Sequence, residues 1–124
     1  MVTSRKPAAL RQKRLADQIQ QVLGEMLSTE LADPRLELVT VTDVQVDREF
    51  DYANIWVCAL DSSPDHQKEI LRGLHSASGY IRKRLAERID IRKMPRLVFH
   101  WDPAPERITR VQEILAHLPP PAES

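Results

Sequence analysis

The sequence predicts an α+β layer fold in which helices cover one face of a three-stranded sheet. Three observations lead there. Apolar residues recur at helical spacing before position 30, between 70 and 89, and again after 108. Two β-prone runs, 36–46 and 52–60, are neighbours in sequence, and a third, 97–101, follows Pro95. The chain has 124 residues, 42% of them hydrophobic and 29% charged, which fits one soluble globular domain around a single core.

Leu15, Ile19, Val22, Leu23, Met26 and Leu27 fall three and four apart, so residues from about 8 to 30 read as an amphipathic helix. Asp33-Pro34 ends it, because the proline ring disfavours helical geometry in the residue before it. In the Val- and Thr-rich run 36–46 the apolar phase changes between Val39/Val41 and Val44/Val46, which predicts a strand with a bulge or strong twist. After the polar turn 47–51, Tyr52 to Leu60 alternates. Ala53, Ile55, Val57 and Ala59 fall on one face, and Tyr52, Asn54, Trp56 and Cys58 on the other. The two strands are expected to form a hairpin.

Ser63 and Pro64 read as the N-cap and first position of the next helix, whose buried stripe is Ile70, Leu71 and Leu74. Two serines and a glycine at Ser76-Ala77-Ser78-Gly79 weaken that helix and predict a kink, after which a second helix restarts on Ile81, Leu85 and Ile89. Pro95 leads into the third strand, Leu97 to Trp101. Ile108, Val111, Ile114, Leu115 and Leu118 then predict a final helix, stopped by Pro119-Pro120-Pro121. The domain organisation on this reading is a flexible basic arm over 1–7, one folded domain over 8–118 and a short disordered tail over 119–124.

Net charge is zero, but the charges are segregated. Residues 1–29 hold five basic and two acidic side chains, 30–65 two and nine, 66–96 nine and three, and 97–124 two and four. Such separation fits a domain that turns a basic face to a polyanion; mutual neutralisation across the fold is the plainer alternative. No apolar run is long enough for a membrane span, and the basic start lacks the apolar stretch of a secretory signal. An Arg-rich, acid-poor opening imitates a transit peptide, yet its pattern runs unbroken into the first helix. The lone Cys58 has no partner for an internal disulfide and stands among apolar residues, as a small buried hydrophobe in a reducing compartment would.

The strongest candidate site is the basic series Arg82, Lys83, Arg84, Arg88, Arg92, Lys93 and Arg96. With Ile81 and Leu85 facing inward, Lys83 points out and Arg84 and Arg88, four apart, share a flank that can follow a phosphate backbone. A helix starting at the kink would add its free N–H groups and positive dipole end. The plain alternative is a solvated face with Glu87 and Asp90 as local partners. A second cluster, Arg5, Lys6, Arg11, Lys13 and Arg14, reads either as an arm for RNA or as a solubilising terminus. Trp56 and His100 are candidates to stack on bases, against a core or sheet-edge role.

Catalytic chemistry finds no support. The four histidines are far apart, no His, Cys or Glu pair has metal-ligand spacing, and three glycines leave no phosphate-cradling loop. Neither a metal nor another cofactor is expected.

From Arg11-Gln-Lys-Arg14 to Phe99 the chain resembles the ribosome-binding factor A family. The resemblance is carried by Arg11-Gln-Lys-Arg14-Leu-Ala-Asp-Gln-Ile19, Asp33-Pro34-Arg35-Leu36, Val39-Thr40-Val41-Thr42-Asp43-Val44, Asp51-Tyr52-Ala53, Ala77-Ser78-Gly79-Tyr80-Ile81-Arg82 and Arg92-Lys-Met-Pro95-Arg96-Leu97-Val-Phe99. It implies a KH-like fold of the second topological type, with Ala77-Ser78-Gly79 standing where ordinary KH domains carry a Gly-x-x-Gly loop. It implies RNA contacts from those three residues and the basic clusters around them. It also implies a cytoplasmic, monomeric, non-enzymatic factor that binds the immature small (30S) subunit and its 16S rRNA, promotes late processing, matters most in the cold, and then dissociates. Other assembly factors, including a GTPase that triggers release, are implied partners. The chain departs from the family pattern at Pro103-Ala104-Pro105, where a small serine-containing segment is usual.

Overall fold

The computed structural model describes residues 8–31, 33–36 and 38–103. Helix α1 (Ala8–Thr29) is followed by a 3-10 turn (Pro34–Leu36), strands β1 (Thr40–Val46) and β2 (Tyr52–Cys58), helix α2 (Pro64–Arg88) and strand β3 (Arg96–Trp101). The sheet order is β1-β2-β3. β1 and β2 pair antiparallel as the expected hairpin, while β3 runs parallel to β2. A parallel neighbour needs a long crossover, and α2 supplies it.

The strands alternate as the sequence requires. Val41, Val44 and Val46 of β1 and Ala53, Ile55 and Val57 of β2 are buried on one face, which both helices cover. From α1 come Leu15, Ile19, Leu23 and Met26; from α2 come Ile70, Leu74, Ile81 and Leu85. The phase change in β1 is a bulge: pairing passes from Val41↔Val57 to Asp43↔Trp56. Thr42, skipped by the ladder, donates its hydroxyl hydrogen to a carboxylate oxygen of Asp102 at 2.6 Å. Two glutamines of α1 donate to carbonyls of the edge strand, Gln12 to Val46 at 2.7 Å and Gln20 to Val41 at 3.4 Å. They help occupy an edge that would otherwise present unpaired backbone.

Several expectations are corrected. The strand predicted from position 36 begins at Thr40, because Leu36 closes the 3-10 turn and Leu38 takes a positive φ of 64°. Cys58 is half-buried on the outer face instead of sitting in the core. The predicted break into two helices is absent: α2 is one helix of 25 residues that runs through Ser76-Ala77-Ser78-Gly79. Tertiary packing overrides the weak local propensity, since Ile70, Leu74, Ile81 and Leu85 form one continuous buried stripe and Ala77 packs against it. Gly79 makes no close approach and has open space where a Cβ would stand. Close packing occurs instead at the buried Gly73, whose added Cβ would lie 3.2 Å from Leu36 Cδ2 and 3.3 Å from Arg35 Nε. The predicted basic arm, final helix and tail lie outside the described residues.

A glycine in an exposed helix interior costs backbone entropy without compensation. Gly79→Ala is therefore expected to stabilise the domain by about 0.5–1 kcal/mol in urea denaturation. A loss of stability would restore the idea that the helix needs a glycine there.

Candidate nucleic-acid interface

The structure divides the predicted basic residues into two groups. Arg82 is a brace within the fold: its Nε and Nη2 donate to the Met94 carbonyl at 3.2 and 2.7 Å, holding the α2–β3 connection. Arg84 and Arg88 do share a flank, but that flank faces the end of α1. Both guanidinium groups donate to the same carboxylate oxygen of Glu30, from Arg84 at 2.8 Å, and Arg84 also reaches Glu87 at 2.8 Å. In the free chain the donors of this expected phosphate-lining pair are directed at a half-buried carboxylate. The continuous helix also removes the expected second helix start, so no free backbone N–H groups are presented at 79–82.

Glu30 responds to this setting. The hydrogen bond from Arg84, reinforced by the charges of both arginines against partial desolvation, holds its carboxyl below the ordinary value of 4.5. The same contact raises Arg84. The pair is a tie between two helices, built from groups whose side chains keep only 22–31% of their exposure.

The second group is uncommitted. Arg11, Arg14, Lys83 and Arg92 are exposed, and no hydrogen bond or ion pair joins them to other described residues. Lys93 is also exposed and reaches Asp51 only loosely, at 3.4 Å. The fold brings four of these cations together from distant parts of the sequence. Arg11 and Arg14 on α1 meet Arg92 and Lys93, from the α2–β3 connection, around one cleft of about 430 Å³. Leu15, Phe50 and Ile91 supply apolar lining, and Gln18, Glu49 and Asp90 complete the wall.

Ala77, Ser78 and Gly79 lie on the middle of α2, where Ala77 is half-buried, Ser78 donates to the His75 carbonyl at 2.9 Å, and Gly79 is exposed. Arg5 and Lys6 lie outside the described residues. Trp56 and His100 stack on each other across β2 and β3, with centroids 4.9 Å apart, and His100 Nε2 lies 2.8 Å from Asn54 Oδ1.

Sequence reasoning missed Phe50. An aromatic in an otherwise polar five-residue turn was the available signal. It also missed Tyr80, exposed one turn before Lys83 on α2, and Glu30 as the partner of two arginines. Among the described residues no group of three or more His, Cys, Asp or Glu could hold a metal, and no helix is long and apolar enough to cross a membrane.

A small layered domain that gathers uncommitted cations at one end has the form of a binding module. The chain belongs to the ribosome-binding factor A family, whose model matches residues 11–115. A ribosome-binding factor A from Alkalilimnicola ehrlichii is 39% identical over 105 residues, covering 85% of this chain and 81% of that protein. One from Aromatoleum aromaticum is 34% identical over the same length, covering 85% and 82%. Among solved structures, the crystal structure of ribosome-binding factor A from Thermus thermophilus aligns with a TM-score of 0.65 at 30% identity, over 73% of this chain and 93% of that one. A homology model of the Thermus thermophilus factor, fitted into a cryo-EM map of its complex with the 30S subunit, aligns at 0.50 and 30% identity, over 78% and 92%. The α+β architecture with its mixed three-stranded sheet is thus that of the family.

The Glu30 tie sets a pH dependence. Because the folded carboxyl is depressed, its contribution is fully present above the ordinary value of 4.5 and is lost as pH falls through the lower folded value. Glu30→Gln should melt at a lower temperature than the parent at neutral pH. The gap should close on acidification below about 4.5, as followed by circular dichroism. A gap that persists unchanged in acid would show that the carboxylate charge is not what joins the helices.

Proposed function

We propose that this chain is a ribosome assembly factor: it binds the immature small subunit on its 16S rRNA, promotes late processing and maturation, then dissociates, without catalysing a reaction. Membership of the family supports this reading, as does the 30S complex of the Thermus thermophilus factor. The observation that carries it to particular residues is the exposed set Arg11, Arg14, Lys83, Arg92 and Lys93, whose charges are available to phosphates. Phosphate contacts supply most of the affinity for RNA, and the shape of the folded RNA supplies preference for a site. Arg5 and Lys6, outside the described residues, are two further candidate phosphate contacts in the sequence preceding Arg11. Ala77, Ser78 and Gly79 form a low, small-residue stretch of α2 beside Tyr80 and Lys83, where a backbone can approach closely. The domain is a KH-like variant in which the usual loop is drawn into a continuous helix. It works as a cytoplasmic monomer, most needed in the cold, and a GTPase among the neighbouring assembly factors triggers release.

Replacement of Arg11, Arg14, Lys83 and Arg92 by Glu should leave the fold intact, since exposed positions away from structural contacts seldom cost much stability. Co-sedimentation with free small subunits should be lost. Each phosphate contact removed singly should reduce the slope of log affinity against log salt by about 0.7–0.9. A quadruple variant that still sediments with the subunit would reject this surface.

A further inference from the structure

We infer that the cleft between α1, the β1–β2 turn and the α2–β3 connection is a pocket for a single unstacked RNA base, which rests on the proposed RNA-binding reading and names a recognition site within it. A pure phosphate-binding patch needs cations and nothing else. This cleft, at about 430 Å³, combines an apolar lining of Leu15, Phe50 and Ile91 with cations at its rim, and its size is within the range of small-ligand sites. A nucleotide has the same division. Its base is flat and largely apolar on its faces, and its phosphate is anionic.

Phe50 carries the argument furthest. It adopts φ 60°, a conformation that costs a bulky side chain strain and that a glycine or asparagine would take more readily. The turn holds it there: Asp47 accepts from the backbone N–H of Asp51 at 2.8 Å and Tyr52 at 2.9 Å, and the Phe50 N–H donates to the Asp47 carbonyl at 3.1 Å. Phe50 packs in part against the core and also lines the cleft, whose lining includes Arg11, Arg14 and Arg92. Aromatic rings and guanidinium planes are the surfaces on which single-stranded bases stack.

The carboxylates decide between occupants. Glu49 and Asp90 in the wall accept hydrogen bonds from N–H groups on base edges, donors that the side chains of an acidic peptide do not offer. The pocket therefore favours guanine, whose edge presents an amino group beside a ring N–H, over uracil, whose edge presents one ring N–H alone. The bases available to it are those of single-stranded loops and ends, since paired bases are not extruded without cost.

The test compares short single-stranded RNAs that differ at one nucleotide, carrying guanine, uracil or an abasic ribose between identical phosphates, with affinity measured by fluorescence anisotropy on the full chain. The base-bearing guanine RNA should bind about tenfold more tightly than the abasic one, with uracil between them. Phe50→Leu should abolish most of that difference and Phe50→Tyr restore it. Amide shift mapping on the unmutated protein guards against misfolded variants: guanine RNA, and not abasic RNA, should move the Leu15, Phe50 and Ile91 signals. Equal affinity for all three RNAs, in a protein that still binds the small subunit, would overturn the base pocket and leave the rRNA reading standing. Loss of both RNA and subunit binding would overturn the two together. Shifts at Phe50 and Ile91 induced by a polyglutamate peptide and not by RNA would assign the cleft to a protein partner and overturn the proposal.

Discussion

A three-stranded sheet with one dry face must be covered, and that requirement governs this molecule. Ala53, Ile55 and Val57 of the central strand are wholly buried, while the residues between them lie outside the core. At roughly 25 cal/mol per Å² of apolar surface, exposing that face to water is not sustainable for a small domain. The cover comes from two helices, α1 mainly over β1 and α2 mainly over β3. Because α2 has to connect β2 to a parallel β3, its length and path are set by the crossover. A continuous apolar stripe along 25 residues then holds it helical through a segment of poor local propensity.

That packing determines which charges remain for a ligand. Where α1 ends beside α2, Glu30 is drawn into a partly desolvated position, and a carboxylate there requires partners. Arg84 and Arg88 provide them. Arg82, on the other flank, is spent on the Met94 carbonyl. The basic run after Gly79 thus divides by helical phase, with arginines beside the inner stripe bracing the fold and Lys83 left to solvent. At the far end of α1, no comparable acid closes on Arg11 or Arg14 among the described residues, and the α2–β3 connection brings Arg92 and Lys93 to them. A cation-lined cleft assembled from the start of one helix and the loop after another follows from how the helices cross the sheet.

Much of this was legible in the sequence, because it depends on periodicity. The inward residues of α1, β1, β2 and α2, the hairpin, the β1 bulge and the cap at Ser63-Pro64 can be read from spacing and turn chemistry alone. Reading failed where long-range packing overrules a local signal. Ser76-Ala77-Ser78-Gly79 looks like a break, and only the unbroken stripe of Ile70, Leu74, Ile81 and Leu85 shows why the helix continues. The close glycine contact went to Gly73, because the loop from Asp33 to Leu36 folds onto it. Within the candidate site, Lys83, Arg11, Arg14, Arg92 and Lys93 were recognisable as cations, but their sorting from Arg82, Arg84 and Arg88 was not. The partners responsible are Glu30, 54 and 58 residues away in sequence from Arg84 and Arg88, and a backbone carbonyl, which composition does not reveal. Phe50 was hidden for a similar reason, since its place depends on a turn conformation unusual for phenylalanine.

The central claim is that the fold commits some arginines to itself and leaves others for RNA. Arginine-selective labelling with phenylglyoxal, mapped by mass spectrometry on the free chain and on its complex with small subunits, addresses that division directly. Arg11, Arg14 and Arg92 should react readily in the free protein and become protected in the complex. Arg82, Arg84 and Arg88 should react slowly in both. The account would be contradicted if Arg84 and Arg88 were the residues that react freely and become protected on binding, with Arg11, Arg14 and Arg92 unaffected.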